Sequence, residues 1–424
     1  MSTSLPEDAY DVVVVGAGLA GLNASLDLTA AGLKVATFEA HADVGGRVRT
    51  SVTDGYRLDH GFQLYNPAYP AGKRVFDYAA LNLRAFTRGA VVSLPGRNWL
   101  LADPRKIPMS AVSALTAPVG SLTSKLRFAW YAAQCARSRP AELAARTDCS
   151  ARVALESAGI GGRFIDSFVG PFLSGVFLEA DLATSRRFLD LVLRSFVRGT
   201  PSVPATGMAA LPRQLAARLP PETLFTQTRV DSIEGSPGAL RLQTNSGQVK
   251  TRAVIVAVDP TSVSDLIPGF VTPAMSGVTT WYHAVDRSPD SFTRGRPALV
   301  VDGTQRGPLV DSVAISNAAP SYAPLGKVLI SSSALGSHTT ADSDSAAVAH
   351  AGRLHAMSTS GWELVGKFVI PNALPRKPSP LVIRQDVRLG EGKYIAGDHR
   401  DTPSIQGALI SGRRAAAAVL TDLR

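Results

Sequence analysis

Three groups of residues near the N-terminus have the types and spacing needed to hold a dinucleotide. Gly16-x-Gly18-x-x-Gly21 follows four consecutive valines, Val12 to Val15, and opens directly into an apolar helical pattern beginning Leu19-Ala20. In such a turn Gly16 permits the sharp reversal, Gly18 lets the backbone approach a pyrophosphate, and Gly21 lets helix and strand pack closely. The helix start adds free N–H groups and the positive end of a dipole. A second strand pattern, Lys34 to Glu39, ends in an acid 18 residues beyond Gly21, followed by Ala40. A carboxylate at that distance can hydrogen-bond both hydroxyls of an adenosine ribose. Next come Gly45, Gly46 and Arg47. Paired glycines allow close backbone approach, and a guanidinium can neutralise phosphate charge.

The elements that must position these groups follow from apolar patterning. The valine run reads as a strand buried on both faces, as in a parallel sheet. Tyr56–Leu58 reads as a short strand leading to the turn His60-Gly61-Phe62. Beyond residue 83 the character changes. Strand patterns at 83–86 and 89–94 precede helical patterns at 110–115, 121–137, 151–158, 163–168 and 185–197. Pro201 to Gly207 is a boundary rich in proline, glycine and serine, after which a helix starts near Gly207. Leu224 to Glu234, two hairpin strands and the very apolar 253–258 then return to the first sheet. Strands at 279–285, 299–301, 309–315, 327–333 and 365–370, a helix at 341–358 and a proline-rich loop at 371–380 follow. The tail reads as a strand ending in Gly397-Asp398 and a helix beginning near Ser404-Ile405. The expected fold is α/β: a Rossmann-like nucleotide-binding domain from 1–83, 202–270 and 378–424, with an inserted mixed α+β substrate domain from 84–201 and 271–377.

Composition narrows the function classes. The chain has 424 residues, 45% apolar and 18% charged, enough for a large core. Forty-four basic residues against 34 acidic give a net charge of +10. The basic residues are scattered, so no nucleic-acid module is expected, and the surplus suits an anionic cofactor. Cys135 and Cys149 exclude a disulfide scaffold and a cysteine zinc site. His41, His338, His350, His355 and His399 show no ligand spacing, so no metal is expected. The first ten residues, with Glu7 and Asp8, lack the order of a secretion signal. No run of 18 apolar residues occurs. A cytoplasmic protein is expected. The apolar stretch Lys106 to Arg139, carrying Lys125, Arg127 and Arg137, reads either as a basic amphipathic surface in peripheral contact with a membrane or as core helices.

Val15-Gly-Ala-Gly-Leu-Ala-Gly-Leu22, the acid-ended second strand, Gly45-Gly-Arg-Val-Arg-Thr50 and Tyr56-Arg-Leu-Asp-His-Gly61 together resemble the flavin-dependent amine oxidase and carotenoid desaturase superfamily. The resemblance covers both ends and the middle of the chain and is weak across the insert. It implies non-covalently bound FAD. It places Val230 where backbone meets adenine, Asp398 at the ribityl chain or pyrophosphate, and the Ser404 helix start at the flavin pyrimidine edge. His60, Gly61 and Phe62 should lie near the isoalloxazine ring, His60 as a packing contact or a catalytic group. Many relatives place a lysine near flavin N5, and Lys367 is the candidate here, the alternative being an exposed strand lysine. Trp281 and His283 share one strand face and Tyr282 takes the other. Trp281 and His283 are candidates to line the substrate cavity, the alternative being core. Amine oxidases usually carry an aromatic residue where Ser404 stands, which favours the desaturase branch.

The implied function is hydride transfer from a largely apolar small molecule to flavin N5, by desaturation or amine oxidation, with O2 or a quinone as acceptor. Two alternatives remain at this point. One is a sugar-nucleotide mutase of the UDP-galactopyranose type, which needs Arg186, Arg187 and Arg194 to converge. The other is a flavin-binding protein without turnover. Oligomeric state is not readable.

Overall fold

The valine run becomes the centre of a parallel sheet because every residue of it is shielded on both faces. In the computed structural model, which describes residues 9–103, 107, 108 and 110–423, the strand Tyr10–Val15 pairs in parallel with Gly247–Val256 on one side and Val35–Phe38 on the other. Leu224–Phe225 extends the parallel pairing beyond Val35–Phe38, and Lys393–Ile395 pairs in parallel with 254–256. Strands from the start, middle and end of the chain thus share one sheet. Glu7, Asp8 and Lys106, on which expectations about the N-terminus and the basic stretch partly rest, lie outside the described residues.

Two helices lock this sheet around the glycine turn. Leu19–Ala30 follows the turn, and Ile405–Asp422 closes the chain beside it. Gly16 has φ +103°, open to glycine and strained for other residues. A Cβ on Gly21 would meet Gly16 O at 2.0 Å, and one on Gly412 would meet Ala20 O at 2.1 Å. The glycines therefore set how closely helix, strand and terminal helix can approach.

A second sheet runs in the order Glu363–Pro375, Met275–Val285, Val328–Leu335, Leu309–Ala314, Leu299–Asp302, Gly89–Leu94, Arg97–Ala102. It joins strands from before and after the first sheet's middle segment. One face packs on the helix Ala341–His355, through Trp281, Val300, Ala347, Ala351 and Leu354. Near its other end Val92 and Val301 pack on the helices of 110–198 instead.

The structure corrects several expected elements. Arg97–Ala102 is a strand, paired with Gly89–Leu94 across the Pro95-Gly96 turn. The expected helix at 163–168 is a π-turn, Ile165–Val169, that continues into Gly170–Phe177. Gly170-Pro171 reads as a breaker, yet the proline occupies the first turn, where no N–H is needed. The hairpin strand and 253–258 are one strand, Gly247–Val256. Glu363–Pro375 runs through Pro371 rather than ending at it, because it is an edge strand.

Gly412→Ala should push the two helices apart and cost about 1–3 kcal/mol of stability, the usual range for overpacking. Urea denaturation read by circular dichroism checks this, and an unchanged midpoint would refute the close-approach argument.

Candidate active site

A single cavity of about 2360 Å³ runs from the glycine turn into the helices of 110–198. That exceeds the usual 300–1,000 Å³ of a small-ligand pocket and is large enough for a dinucleotide together with a second molecule. Its nucleotide end is lined by Gly16, Gly18, Leu19, Ala20, Glu39, Ala40, Gly45, Gly46 and Arg47, with Val230 opposite. Gly397, Asp398, Ser404 and Ile405 line it from the terminal segment, and His60, Gly61 and Phe62 where the two sheets meet. The structure brings all of these expected residues onto one wall system. Gly21 is the exception, lying beneath the turn against Gly16.

The wall is preorganised by hydrogen bonds. Gly45 N–H donates to Ala17 O at 2.9 Å, and Gly18 and Gly45 form an isolated parallel bridge. Glu39 is buried, its Oε2 accepting from Ala17 N at 2.9 Å and its Oε1 from His41 N at 3.0 Å. The carboxylate thus fixes the turn from behind while its end faces the cavity. The helix after Gly18 has no side-chain cap, leaving first-turn N–H groups for a ligand. At the other helix start Ser404 Oγ accepts from Gly407 N at 3.1 Å.

Arg47 is already engaged. Its Nη2 donates to Asp398 Oδ1 at 2.5 Å and its Nη1 to Ala373 O at 2.8 Å, and Asp259 Oδ2 lies 3.6 Å from Nε. Sequence reasoning missed Arg49, which lines the same cavity and whose buried Nε has no hydrogen-bond partner. The only available signal was its place in Gly45-Gly-Arg-Val-Arg49. Arg49 is the better candidate to meet an anion.

His60 stacks on Phe368 with ring centroids 4.4 Å apart and contacts Ser51 Oγ through Nε2 at 2.8 Å. Burial, with Arg49 nearby, lowers its pKa and favours neutral imidazole. The preceding Asp59 is fully buried, its Oδ2 accepting from the Tyr322 hydroxyl at 2.8 Å and its Oδ1 from Met208 N at 2.9 Å. Burial raises its pKa to about 6 against those hydrogen bonds. Asp59 holds the His60-Gly61 turn rather than facing the cavity.

The three remaining expectations fail. Lys367, Trp281 and His283 lie on the face of the second sheet that is turned away from the cavity. Trp281 and Lys367 are direct cross-strand partners. Lys367 Nζ bonds Asp344 on the helix Ala341–His355 and sits 5.6 Å from the Trp281 ring centroid. Trp281 Nε1 donates to the same carboxylate at 2.6 Å. His283 is buried near Trp362, its pKa lowered to about 4 by burial. Alternation was read correctly, but the Tyr282 face is the one that reaches the site: Val278, four residues back on the same face, lines the cavity. Asp344 captures the other face by offering one carboxylate to both Trp281 and Lys367.

The inner cavity is apolar. Phe128, Phe164, Phe168, Phe172 and Phe196 form a row with neighbouring centroids 5.5–6.1 Å apart. Arg186, Arg187 and Arg194 do not converge. Arg186 lies 3.6 Å from Asp190, Arg187 donates to Arg146 O and Leu381 O, and Arg194 donates to Ser138 O.

Comparison with known proteins gives the family. Residues 19–420 match the family described as flavin containing amine oxidoreductase. The chain belongs to that family, and its cofactor is FAD. Putrescine oxidase of Kocuria rosea is 53% identical over 57 residues, 13% of this chain and 12% of the relative. Protoporphyrinogen oxidase 2 of Arabidopsis thaliana is 28% identical over 173 residues, 39% of this chain and 32% of the relative. The chain thus matches under a third of the length of either relative. An oxidoreductase from Methanosarcina mazei has the same fold, with a TM-score of 0.74 and 15% identity over 97% of this chain and 100% of that one. The cavity suits FAD on its own geometry: an uncapped helix start, a glycine bridge, a buried acid and an unpartnered arginine nitrogen face one elongated space.

Lys367→Met should leave flavin reduction and reoxidation rates unchanged while costing about 1 kcal/mol, the scale of a partly exposed ion pair. Stopped-flow spectroscopy and thermal melts check both, and slowed flavin kinetics would return Lys367 to the active site.

Proposed function

We propose that the protein is a FAD-dependent oxidoreductase acting on a largely apolar small molecule, held in the phenylalanine-lined part of the cavity. The observation that carries this reading is continuity: the cavity that begins at the dinucleotide turn ends among aromatic side chains. FAD supplies a hydride acceptor, with O2 or a quinone as the final electron acceptor. The chain supplies position and dryness. Glu39 holds the ribose, and Arg49 with the first helix start holds the pyrophosphate non-covalently. His60, Gly61 and Phe62 back the ring, and the aromatic row excludes water from the reacting carbon. Hydride loss next to a neutral nitrogen leaves an iminium ion and needs no base at that step. A desaturation must also release a proton from the neighbouring carbon, to solvent or to a basic group at the cavity wall. The separate engagement of Arg186, Arg187 and Arg194 speaks against the mutase alternative.

The cavity mouth supports a peripheral membrane contact. Leu122, Leu126 and Trp130 follow one another at helical spacing on the helix Leu122–Arg137 and are 47%, 61% and 60% exposed. Leu115, 59% exposed on the preceding helix, stands beside the mouth. Leu115, Leu122 and Leu126 also line the cavity, so an apolar substrate would enter through an apolar rim. Among the described residues no helix is long and apolar enough to cross a membrane. Lys125 is spent on the carbonyls of Ala114 and Ala117, so the contact is chiefly hydrophobic.

Anaerobic titration of the yellow protein with amines, polyenes and tetrapyrroles should bleach the flavin with at least one of them, and no bleaching by any would refute the oxidoreductase reading. Glu39→Gln should weaken FAD binding about tenfold or more, since a hydrogen bond to a charged group contributes roughly 1.5–3 kcal/mol, as measured by flavin fluorescence on dilution. Leu126→Glu should reduce co-sedimentation with phosphatidylcholine vesicles without changing the melting temperature.

A further inference from the structure

One buried carboxylate in the cavity takes no part in the nucleotide wall or the phenylalanine row. Asp311, in the strand Leu309–Ala314, is 4% exposed and lines the cavity, yet its Oδ1 has no hydrogen-bond partner among the described residues. Burying a carboxylate oxygen unpaired is costly, and native structures rarely leave one so without a ligand to meet it. Room for the group is built in. A Cβ on Gly175, in the helix Gly170–Phe177, would lie 2.7 Å from Asp311 Oδ2. Any larger residue at 175 would drive the carboxyl out of place.

A row across the second sheet connects Asp311 with the His60 turn. Asp311 pairs with Ser333, Ser333 with Thr280, and Thr280 with Phe368. Directly paired residues share a sheet face. Ser333 Oγ and Thr280 Oγ1 lie 3.3 Å apart, and Phe368 stacks on His60. The carboxylate therefore stands on the cavity-facing side, in line with the turn that backs the flavin site.

We propose that Asp311 is the specificity-determining polar anchor of the substrate cavity, pairing with a protonated or N–H-bearing nitrogen of an otherwise apolar substrate. The proposal rests on the functional reading above and deepens it: it selects nitrogen-bearing molecules over pure hydrocarbons. Ser333 stands directly across the sheet from the carboxyl, and the substrate nitrogen supplies the donor that Oδ1 lacks. Burial pushes the Asp311 pKa up to about 7, against the Ser333 hydrogen bond, so an arriving cation finds a group whose ionisation its own charge completes.

Among the described residues the neighbours offer no protein cation to take the nitrogen's place. The helix Gly170–Phe177 carries no titratable side chain. From the strand Met275–Val285 the group within electrostatic reach is the Tyr282 phenol. Val301 pairs opposite on Leu299–Asp302. From the helix Ala341–His355, His355 bonds the Ser312 hydroxyl and His350 receives the Leu309 N–H, serving the neighbouring positions of the strand.

The test compares wild type and Asp311→Asn, an isosteric change, as holoenzymes with n-hexylamine and 1-hexanol as probes. Binding is followed by perturbation of the flavin spectrum and by ligand-induced rise in melting temperature. Wild type should bind hexylamine more tightly than hexanol. Asp311→Asn should lose at least tenfold in hexylamine affinity and keep its hexanol affinity. The substitution should also raise the melting temperature at pH 8. The folded-state pKa lies above the ordinary 3.8, so wild type loses stability as pH rises from about 4 to about 7, and the gain should shrink toward pH 5. Equal affinities for both probes, no hexylamine binding by wild type, or a lowered melting temperature at pH 8 would each overturn the proposal. Failure to retain FAD would instead overturn the functional reading, and the amine-dependent melting shift would still report on Asp311.

Discussion

The arrangement depends on the partly buried contact between Arg47 and Asp398. Arg47 leaves the glycine-rich turn after the second strand, and Asp398 ends the last strand of the same sheet. Between them the chain makes an entire second sheet and returns. Arg47 also donates to Ala373 in the edge strand of that second sheet and lies near Asp259. One guanidinium therefore holds four chain segments at the place where the two sheets face the same cavity. Burial disfavours its charge, and Asp398 with Asp259 more than restores it, so the guanidinium stays ionised. Such a pair is weak as a source of net stability but strict about geometry, because removing Arg47 strands the buried Asp398 carboxylate. Its value lies in register: it fixes where the terminal helix begins relative to the first.

Local chemistry was legible in the sequence wherever one short segment carried it. The glycine turn, Glu39, the Gly45-Gly46-Arg47 run, the Ser404 helix start and the alternation of Trp281, Tyr282 and His283 all depend on neighbours within a few residues. What was not legible depends on a partner hundreds of positions away. Arg47 reads as a phosphate ligand until Asp398 is seen on it, and Arg49 reads as incidental until its nitrogen is seen unpartnered. Lys367 reads as a flavin-side lysine until Asp344 is seen holding it. The phenylalanine row is invisible in sequence because its members come from three helical segments and the turn between two of them.

The strand Met275–Val285 shows why period alone could not decide the site. Alternation divides its side chains into two sets, and both sets are buried and both contain aromatic residues. The choice falls to what covers each face. The alanine-rich helix Ala341–His355 can lie close to the sheet, and its first turn brings Asp344 to Trp281 and Lys367. That pairs Trp281 and Lys367 within the protein, although the buried His283 Nδ1 on the same face has no partner. On the other face the Ser333 and Thr280 hydroxyls meet each other, Asp311 Oδ1 has no partner among the described residues, and the sheet is left open to the cavity. A face covered by a closely packed helix becomes core, even with an imidazole nitrogen left unpartnered on it. A face that keeps an unsatisfied carboxylate beside an apolar space keeps the capacity to recognise something. The same strand thus separates support from function between adjacent residues, and the separation is set by what covers each face of the sheet rather than by hydrophobicity along it.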